Sequence, residues 1–300
     1  MNVFDIAAIT LGGTTLSGIV DQSYTAGAEE MLLGSTGASN PSFLAVSAVK
    51  PTFSFTTLDV KAGLDVGGLL ATAYSSAVDI YFRQRNFGGA YGDGTAASSI
   101  KVSLSKSLLV PKTISANHNA EATISFDLYA CSTDGSTSPV TITTAAAPYT
   151  PEKKNPDVWT VGSAEFGAVV ASVQSISVDT GAQVEQHGHS GTPYDQYIGV
   201  HEYRPKVSVE CMNISNLSTI TSVGALSADM SVFFRKMTLG GTRVATGTAT
   251  HISLTSTGGM VFNRGTSGSH LSPATLSLEY IPVWDGSTSP IVVSTTSAIS

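Results

Sequence analysis

Lys50-Pro51-Thr52-Phe53-Ser54-Phe55 and Arg204-Pro205-Lys206-Val207-Ser208-Val209 open two strands of one pattern, 154 positions apart. In each, a cation and a proline precede an alternation of apolar and hydroxyl side chains, the period of a half-buried strand. Outward from this pair the offset holds without a gap, Ser17 to Asp59 lying on 171–213. It sets Gly27-Ala28, Gly34 and Gly37 on Gly181-Ala182, Gly188 and Gly191. At an offset of 152, Val78 to Ser132 lies on 230–284, with Ile80-Tyr81-Phe82-Arg83 on Val232-Phe233-Phe234-Arg235. The hexapeptide Asp134 to Pro139 then meets an identical one, Asp285 to Pro290. The chain is an internal duplication. Two copies are too few for a solenoid and fit two domains of one fold.

Each copy carries the same elements in the same order. A strand (17–25; 171–179) leads to a Gly-rich connection (26–42; 180–196) and a second strand (43–56; 197–210). Thr57 is expected to cap a short helix from Leu58 to Leu64, stopped by Gly67-Gly68. Asn213 is expected to cap another from Ile214 to Thr221. Alternation then returns: Val78, Ile80 and Phe82 share one face, as do Ile124, Phe126 and Leu128, and Leu276, Leu278 and Tyr280 in the second copy. The expected fold is mainly β: two tandem β-sandwich-like domains, each with one short α-helix. Residues 1–143 form the first domain with an N-terminal arm over 1–16, and 167–300 form the second. Residues 144–166, broken by Pro148, Pro151 and Pro156, read as the linker.

Of the 300 residues, 42% are apolar and only 12% charged, against about a quarter charged in an ordinary soluble domain. That balance suits a surface largely covered by other subunits. The formal net charge of −7 argues against a sequence-independent nucleic-acid binder, which needs a basic face. Cys131 maps to Val283, so a disulfide repeated in each copy is excluded; two unpaired thiols fit a reducing compartment, with a single bond between Cys131 and Cys211 as the alternative. The first residues lack the basic stretch of a signal peptide, and no apolar run approaches the ~20 residues that span a bilayer. A soluble chain made in a cytoplasm is expected.

Catalytic and metal motifs are weak. Gly188-His189-Ser190-Gly191-Thr192 approaches a nucleophile elbow but lacks the final glycine. His187 and His189, with His201 and Glu202 nearby in sequence, could suggest a metal. The first copy has Leu33 and Ser35 in place of His187 and His189, so the motif lies outside the shared design. No catalytic constellation, metal or cofactor is expected, and the chain reads as a non-enzyme.

The order strand, long Gly-rich hairpin loop, strand opening on Lys/Arg-Pro, short helix and alternating strands resembles the tail-tube fold of long-tailed bacteriophages. The opening Ala-Ile-Thr-Leu-Gly-Gly-Thr-Thr-Leu-Ser-Gly (8–18) also resembles the start of phage tail proteins. The resemblance implies a structural virion protein of a siphophage-like tail, made in the host bacterial cytoplasm. Three two-domain chains would form a pseudo-hexameric ring, and the rings would stack into a tube that conducts double-stranded DNA. Its partners would be further copies of itself and other tail proteins such as the tape measure and terminator, with no membrane. Asp127 and Glu279, at equivalent positions, become candidate lumen-facing acids. Gly27, Glu29, Glu30, Gly34, Gly181, Glu185, Gly188 and Gly191 become candidates for ring-stacking loops that order on assembly. The linker is expected on the outer wall. A capsid protein with duplicated β-domains and a carbohydrate-binding or adhesin pair stand as alternatives; the last would place exposed aromatics at equivalent positions.

Overall fold

The computed structural model of the chain describes residues 3–34, 36, 40, 43–85, 99–144, 157–220, 225–238, 240–284, 286–287 and 289–299. Strands make up 62% of the chain and helices 4%, so the fold is mainly β. The first repeat contains β1 (Val3–Leu11), β2 (Thr14–Leu16), β3 (Ile19–Thr25), β4 (Ala28–Leu33), β5 (Phe43–Val49) and β6 (Thr52–Thr57). Helix α1 (Val60–Gly67) follows, then β7 (Thr72–Tyr74), β8 (Val78–Arg85), β9 (Ser99–Leu104), β10 (Ser107–Asn117), β11 (Thr123–Ala130) and β12 (Val140–Thr144). The second repeat contains β13 (Val158–Phe166), β14 (Val169–Val170), β15 (Val173–Asp179), β16 (Gln183–His187), β17 (Tyr197–Glu202) and β18 (Lys206–Cys211). The one-turn helix α2 (Asn216–Thr219) precedes β19 (Ala225–Met237), β20 (His251–Ser267), β21 (Thr275–Pro282) and β22 (Val292–Ser297).

The duplication is visible strand by strand. β15 lies on β3 and β18 on β6 at the offset of 154, and β21 lies on β11 at 152. β19 merges the counterparts of β7 and β8, and β20 those of β9 and β10. The repeats also reach further toward the N-terminus than expected. β13 is the counterpart of β1: Val3 pairs with Arg85, and Val158 pairs with Met237, the residue equivalent to Arg85. Residues 158–166, read as linker, are therefore a sheet strand, and residues 3–11 belong to the first repeat's sheet. Residues 145–156 of the expected linker lie outside the described residues.

One sheet of 13 strands runs through both repeats in the order β14-β13-β19-β20-β21-β18-β15-β10-β11-β6-β3, with β22 on β20 and β7 on β10. In the first repeat a separate five-stranded sheet, β12-β9-β8-β1-β2, forms the other layer. In the second repeat the two layers are one sheet, joined through β20 at Gly258-Gly259. Alternation on β11 buries Ile124, Phe126 and Leu128 between the layers, and on β21 it buries Leu276, Leu278 and Tyr280. Across the layers Phe166 stacks on Tyr280, centroids 5.7 Å apart and planes within 2°. The buried Tyr280 hydroxyl donates to Ser256 Oγ at 3.1 Å.

Helix α1 covers the apolar face of the first repeat. It buries Val60, Gly63, Leu64 and Gly67, one stripe at helical spacing. Its cap is Asp59, whose Oδ1 accepts from Ala62 N at 3.3 Å, and the helix starts two residues later than the expected Leu58. Thr57 is buried and instead donates to Ser17 O at 2.6 Å while accepting from Asp59 N at 3.0 Å. Asn213 accepts from Ser215 N at 3.0 Å, closing a turn before the shorter α2. The second strand of each copy is also not continuous. Pro51 and Pro205 carry no N–H for a ladder, and each strand divides there. Its first part pairs in a hairpin, β4–β5 or β16–β17, and its second enters the long sheet as β6 or β18. Each Gly-rich connection thus contains the first strand of a hairpin, β4 or β16.

Two substitutions test this packing. Phe126→Ala removes a ring between α1 and β11 and is expected to cost about 3–5 kcal/mol in urea unfolding. At Gly259 an added Cβ meets the Tyr280 ring at 2.3 Å and Ile281 O at 2.8 Å. Gly259→Ala is expected to lower stability by about 1–3 kcal/mol; an unchanged midpoint would show that packing of Tyr280 does not depend on that close approach.

Candidate assembly interface

The two repeats are joined by backbone pairing. β10 runs antiparallel to β15 from Thr113 opposite Asp179 to Asn117 opposite Ser175. Thr180 N donates to Lys112 O at 2.9 Å, Thr180 Oγ1 to Pro111 O at 2.6 Å, and His118 N to Gln174 O at 2.7 Å. A second component lies over this ladder. Hairpin β16–β17 folds back on the first repeat, where Ala182, Val184, Ile198 and Val200 pack with Leu108 and Val110. Ala71 N donates to Tyr203 Oη at 2.6 Å. At the hairpin's tip Ser132 N donates to Asp195 O at 2.9 Å, Tyr194 N to Gly135 O at 3.1 Å, and Val49 N to Pro193 O at 2.7 Å.

Among the described residues, the same two edges recur without these partners. β3, the counterpart of β15, pairs only with β6. The end of β20, the counterpart of the β10 edge, pairs with β21 on one side; its ladder to β19 stops at Phe262. Hairpin β4–β5, the counterpart of β16–β17, projects with Met31, Leu32, Leu33, Phe43, Leu44 and Val46 exposed.

One face of the long sheet is open, polar and rich in hydroxyls: Ser54, Thr113, Ser115, Ser125, Ser177 and Ser208 alternate with the buried apolar residues. Asp127 and Glu279 lie on it at equivalent positions, and neither stands alone. Asp127 accepts from Ser54 Oγ at 2.7 Å and Tyr129 Oη at 3.2 Å, and pairs with Lys112 Nζ at 3.4 Å. Burial, reinforced by the Asp127 charge, pushes the Tyr129 hydroxyl up to about 12. Glu279 is held by Arg264 through both Nε, at 3.1 Å, and a terminal guanidinium nitrogen. Lys112 and Arg264 occupy the same bulge of their strands, between Pro111 and Thr113 and between Asn263 and Gly265. Sequence reasoning singled out the acids and missed their partners, although two cations at one aligned position were visible in the repeat.

The candidate loop residues divide by role. Gly27 (φ +61°) and Gly181 (φ +57°) sit where each hairpin crosses the chain, and an added Cβ would lie 2.2 Å from Lys50 O or 2.3 Å from Arg204 O. They are turn glycines at hairpin bases. Glu29 pairs with Lys50 at 2.8 Å and Glu185 lies 3.4 Å from His187 Nε2. Glu30 is exposed on β4, Gly34 follows that strand, and Gly188 and Gly191 lie at the tip of β16–β17. His189 Nδ1 is 3.0 Å from Ser190 Oγ on the exposed tip. The described residues contain no group of three or more His, Cys, Asp or Glu that could hold a metal, and no helix long and apolar enough to cross a membrane. Cys131 and Cys211 are both buried and free; burial raises both thiols above their ordinary range. Family models give no match to this chain, and a search of curated proteins gives none.

Asp195 lies at the in-chain joint, where its backbone carbonyl accepts from Ser132 N. It is buried, and among the described residues its Oδ2 has no hydrogen-bond partner. Burial raises its pKa, Lys50 and His187 opposing this and Glu29 adding to it. The unfolded chain then ionises first, so stability attributable to this group falls as pH rises from about 4 through the folded-state value. Asp195→Asn is expected to raise the melting temperature at pH 7 and to leave it unchanged near pH 3. A loss at pH 7 would mean that the charge holds the hairpin tip in place.

Proposed function

We propose that this chain is a non-enzymatic structural subunit of a bacteriophage tail tube. Copies join head to tail, three chains give a ring of six similar repeats, and rings stack into a tube whose bore carries double-stranded DNA. The observation that carries the reading is the joint between the repeats. It consumes one edge from each repeat, and the same two edges stay open at opposite ends of the array. Such a surface is heterologous, and heterologous contacts generate closed rings or open filaments. The number three, the stacking and the tail come from the resemblance to tail-tube proteins. Tape-measure and terminator proteins would be the remaining partners, and the virion the destination.

The open face supports a bore that does not grip DNA. Lys112 and Arg264 are each engaged by an acid, and Lys206 stands opposite Asp179. A phosphate backbone sliding past meets hydroxyls and the two closed ion pairs, with Lys206 an exposed cation at the margin of this face. For the adhesin alternative the tryptophans supply no equivalent pair, Trp159 being buried in the core and Trp284 mapping to Ser132, whereas Phe43 and Tyr197 are exposed at equivalent positions of the two hairpins.

Negative-stain electron microscopy of the concentrated protein is expected to show rings or hollow tubes of pseudo-sixfold symmetry, with light scattering giving three chains per ring. Closed shells or flat plates would favour the capsid alternative. The bore is tested separately by Asp127→Asn combined with Glu279→Gln, which frees two cations. Anisotropy with a short DNA duplex is expected to show tighter binding at low salt, with the slope of log K against log salt steeper by about 1–2. An unchanged slope would remove this face from the DNA path.

A further inference from the structure

The duplication allows each half of the in-chain joint to be compared with its open counterpart. At the joint, Leu108 is 9% exposed beneath the second repeat's hairpin and Ser132 is 1% exposed at its tip, with the neighbouring Cys131 at 4%. Their counterparts one repeat later are Met260 at 41%, Val283 at 61% and Trp284 at 67%. The strands beneath are otherwise the same. Cys131 N donates to Lys106 O at 3.0 Å, and Val283 N to the equivalent Gly258 O at 3.1 Å. The covering hairpin shows the reverse asymmetry. Ile198 and Val200, which press on the first repeat, have Leu44 and Val46 as counterparts, and both of these are exposed. The positions that differ are those the joint covers, and where the cover is missing they are apolar.

We infer that a second copy of this chain supplies that cover: its Leu44 and Val46 dock on Met260, Val283 and Trp284, and its β3 extends the sheet along the free edge of β20. The register follows from the in-chain ladder. Thr113 opposite Asp179 and Ser115 opposite Ser177 translate into Gly265 opposite Thr25 and Ser267 opposite Ser23 of the neighbouring copy. The bulge at Arg264 sets the phase of this edge as the bulge at Lys112 sets that of β10. The occupant is a second copy because the fit continues an interface the chain already makes with itself. The inference names the contact within the head-to-tail assembly proposed above and rests on that reading.

The register is tested by Ser23→Cys with Ser267→Cys in the full chain. Within one molecule these positions lie on strands separated by the rest of the sheet, so any bond joins two molecules. Directly opposed residues of an antiparallel pair have Cα atoms roughly 4.5–5.5 Å apart, within the span of a disulfide. Mild oxidation is expected to give dimers and trimers on non-reducing gels. Gln22→Cys with Ser267→Cys, whose side chains would face opposite sides of the sheet, should give at least tenfold less. The docking is tested by Leu44→Asp with Val46→Asp, on an exposed hairpin remote from the core, with circular dichroism to verify folding. Assembly should shift to at least tenfold higher protein concentration. Rings or tubes that form without the Ser23–Ser267 cross-link would overturn this joint and leave the tube reading standing. Equal cross-linking by the two cysteine pairs, or normal assembly of the Asp variant, would also overturn it. Protein that stays monomeric at every concentration and gives no cross-link would overturn both.

Discussion

The constraint that organises this molecule is the need of a sheet edge for a partner. Backbone N–H and C=O groups must be bonded, and an unpaired edge strand is a template for another chain. Within the chain the problem is solved once, where β10 meets β15 and thirteen strands become one sheet. The other features of the joint depend on that ladder. It aligns the apolar faces of both repeats on one side and the hydroxyl-rich faces on the other. It also brings hairpin β16–β17 over Leu108 and Val110.

The hydroxyl face follows from the same alternation. In a strand with period two, every residue sent to the core fixes its neighbours on the opposite face. Phe126 and Leu128 in the core place Asp127 outside, and Leu278 and Tyr280 do the same for Glu279. The bulges then return Lys112 and Arg264 to the open side within reach of these acids. A charge pair at each equivalent position keeps the face polar while limiting its net field. A bare acid on every repeat would add self-repulsion around any closed ring.

Much of this architecture was legible in the sequence because alternation and repetition report directly on burial. The strands 123–130 and 275–282 fall where the 152-residue offset sets them. What failed were features fixed by contacts distant in sequence. Val3-Phe-Asp-Ile and Val158-Trp-Thr-Val share little beyond apolar alternation, so their common place beside β8 and β19 emerged only from pairing. The first strand of each hairpin, β4 or β16, was read as part of a connection because the glycines and serines that follow it masked its alternation, while β5 and β17 fall within the expected strands 43–56 and 197–210. Thr57 looked like a cap, but its hydroxyl is drawn to Ser17 O, and the acid two residues on takes the role. Of the candidate site, the acids were legible from repetition alone. Their neutralisation was not, since it depends on a bulge that turns the intervening residue toward the face.

Duplication also changes the energetics of assembly. In a one-repeat protein every joint is bimolecular and bears the loss of translational and rotational freedom. Fusing two repeats makes one joint in each pair intramolecular, where the effective concentration of the partner edge is high. The fused joint can then diverge from the open one. At the fused joint, Tyr203 accepts from Ala71 N and Val49 donates to Pro193 O, contacts that need no stickiness from the free chain. In the proposed head-to-tail assembly the open ends would instead have to remain soluble until they meet. Asp21 on the edge strand and Glu29 and Glu30 on the projecting hairpin place charge beside its apolar residues, a common protection for an edge awaiting a specific partner. On that proposal the two joints would share a geometry while their side chains meet different demands: one forms once with the fold, and the other would form between molecules.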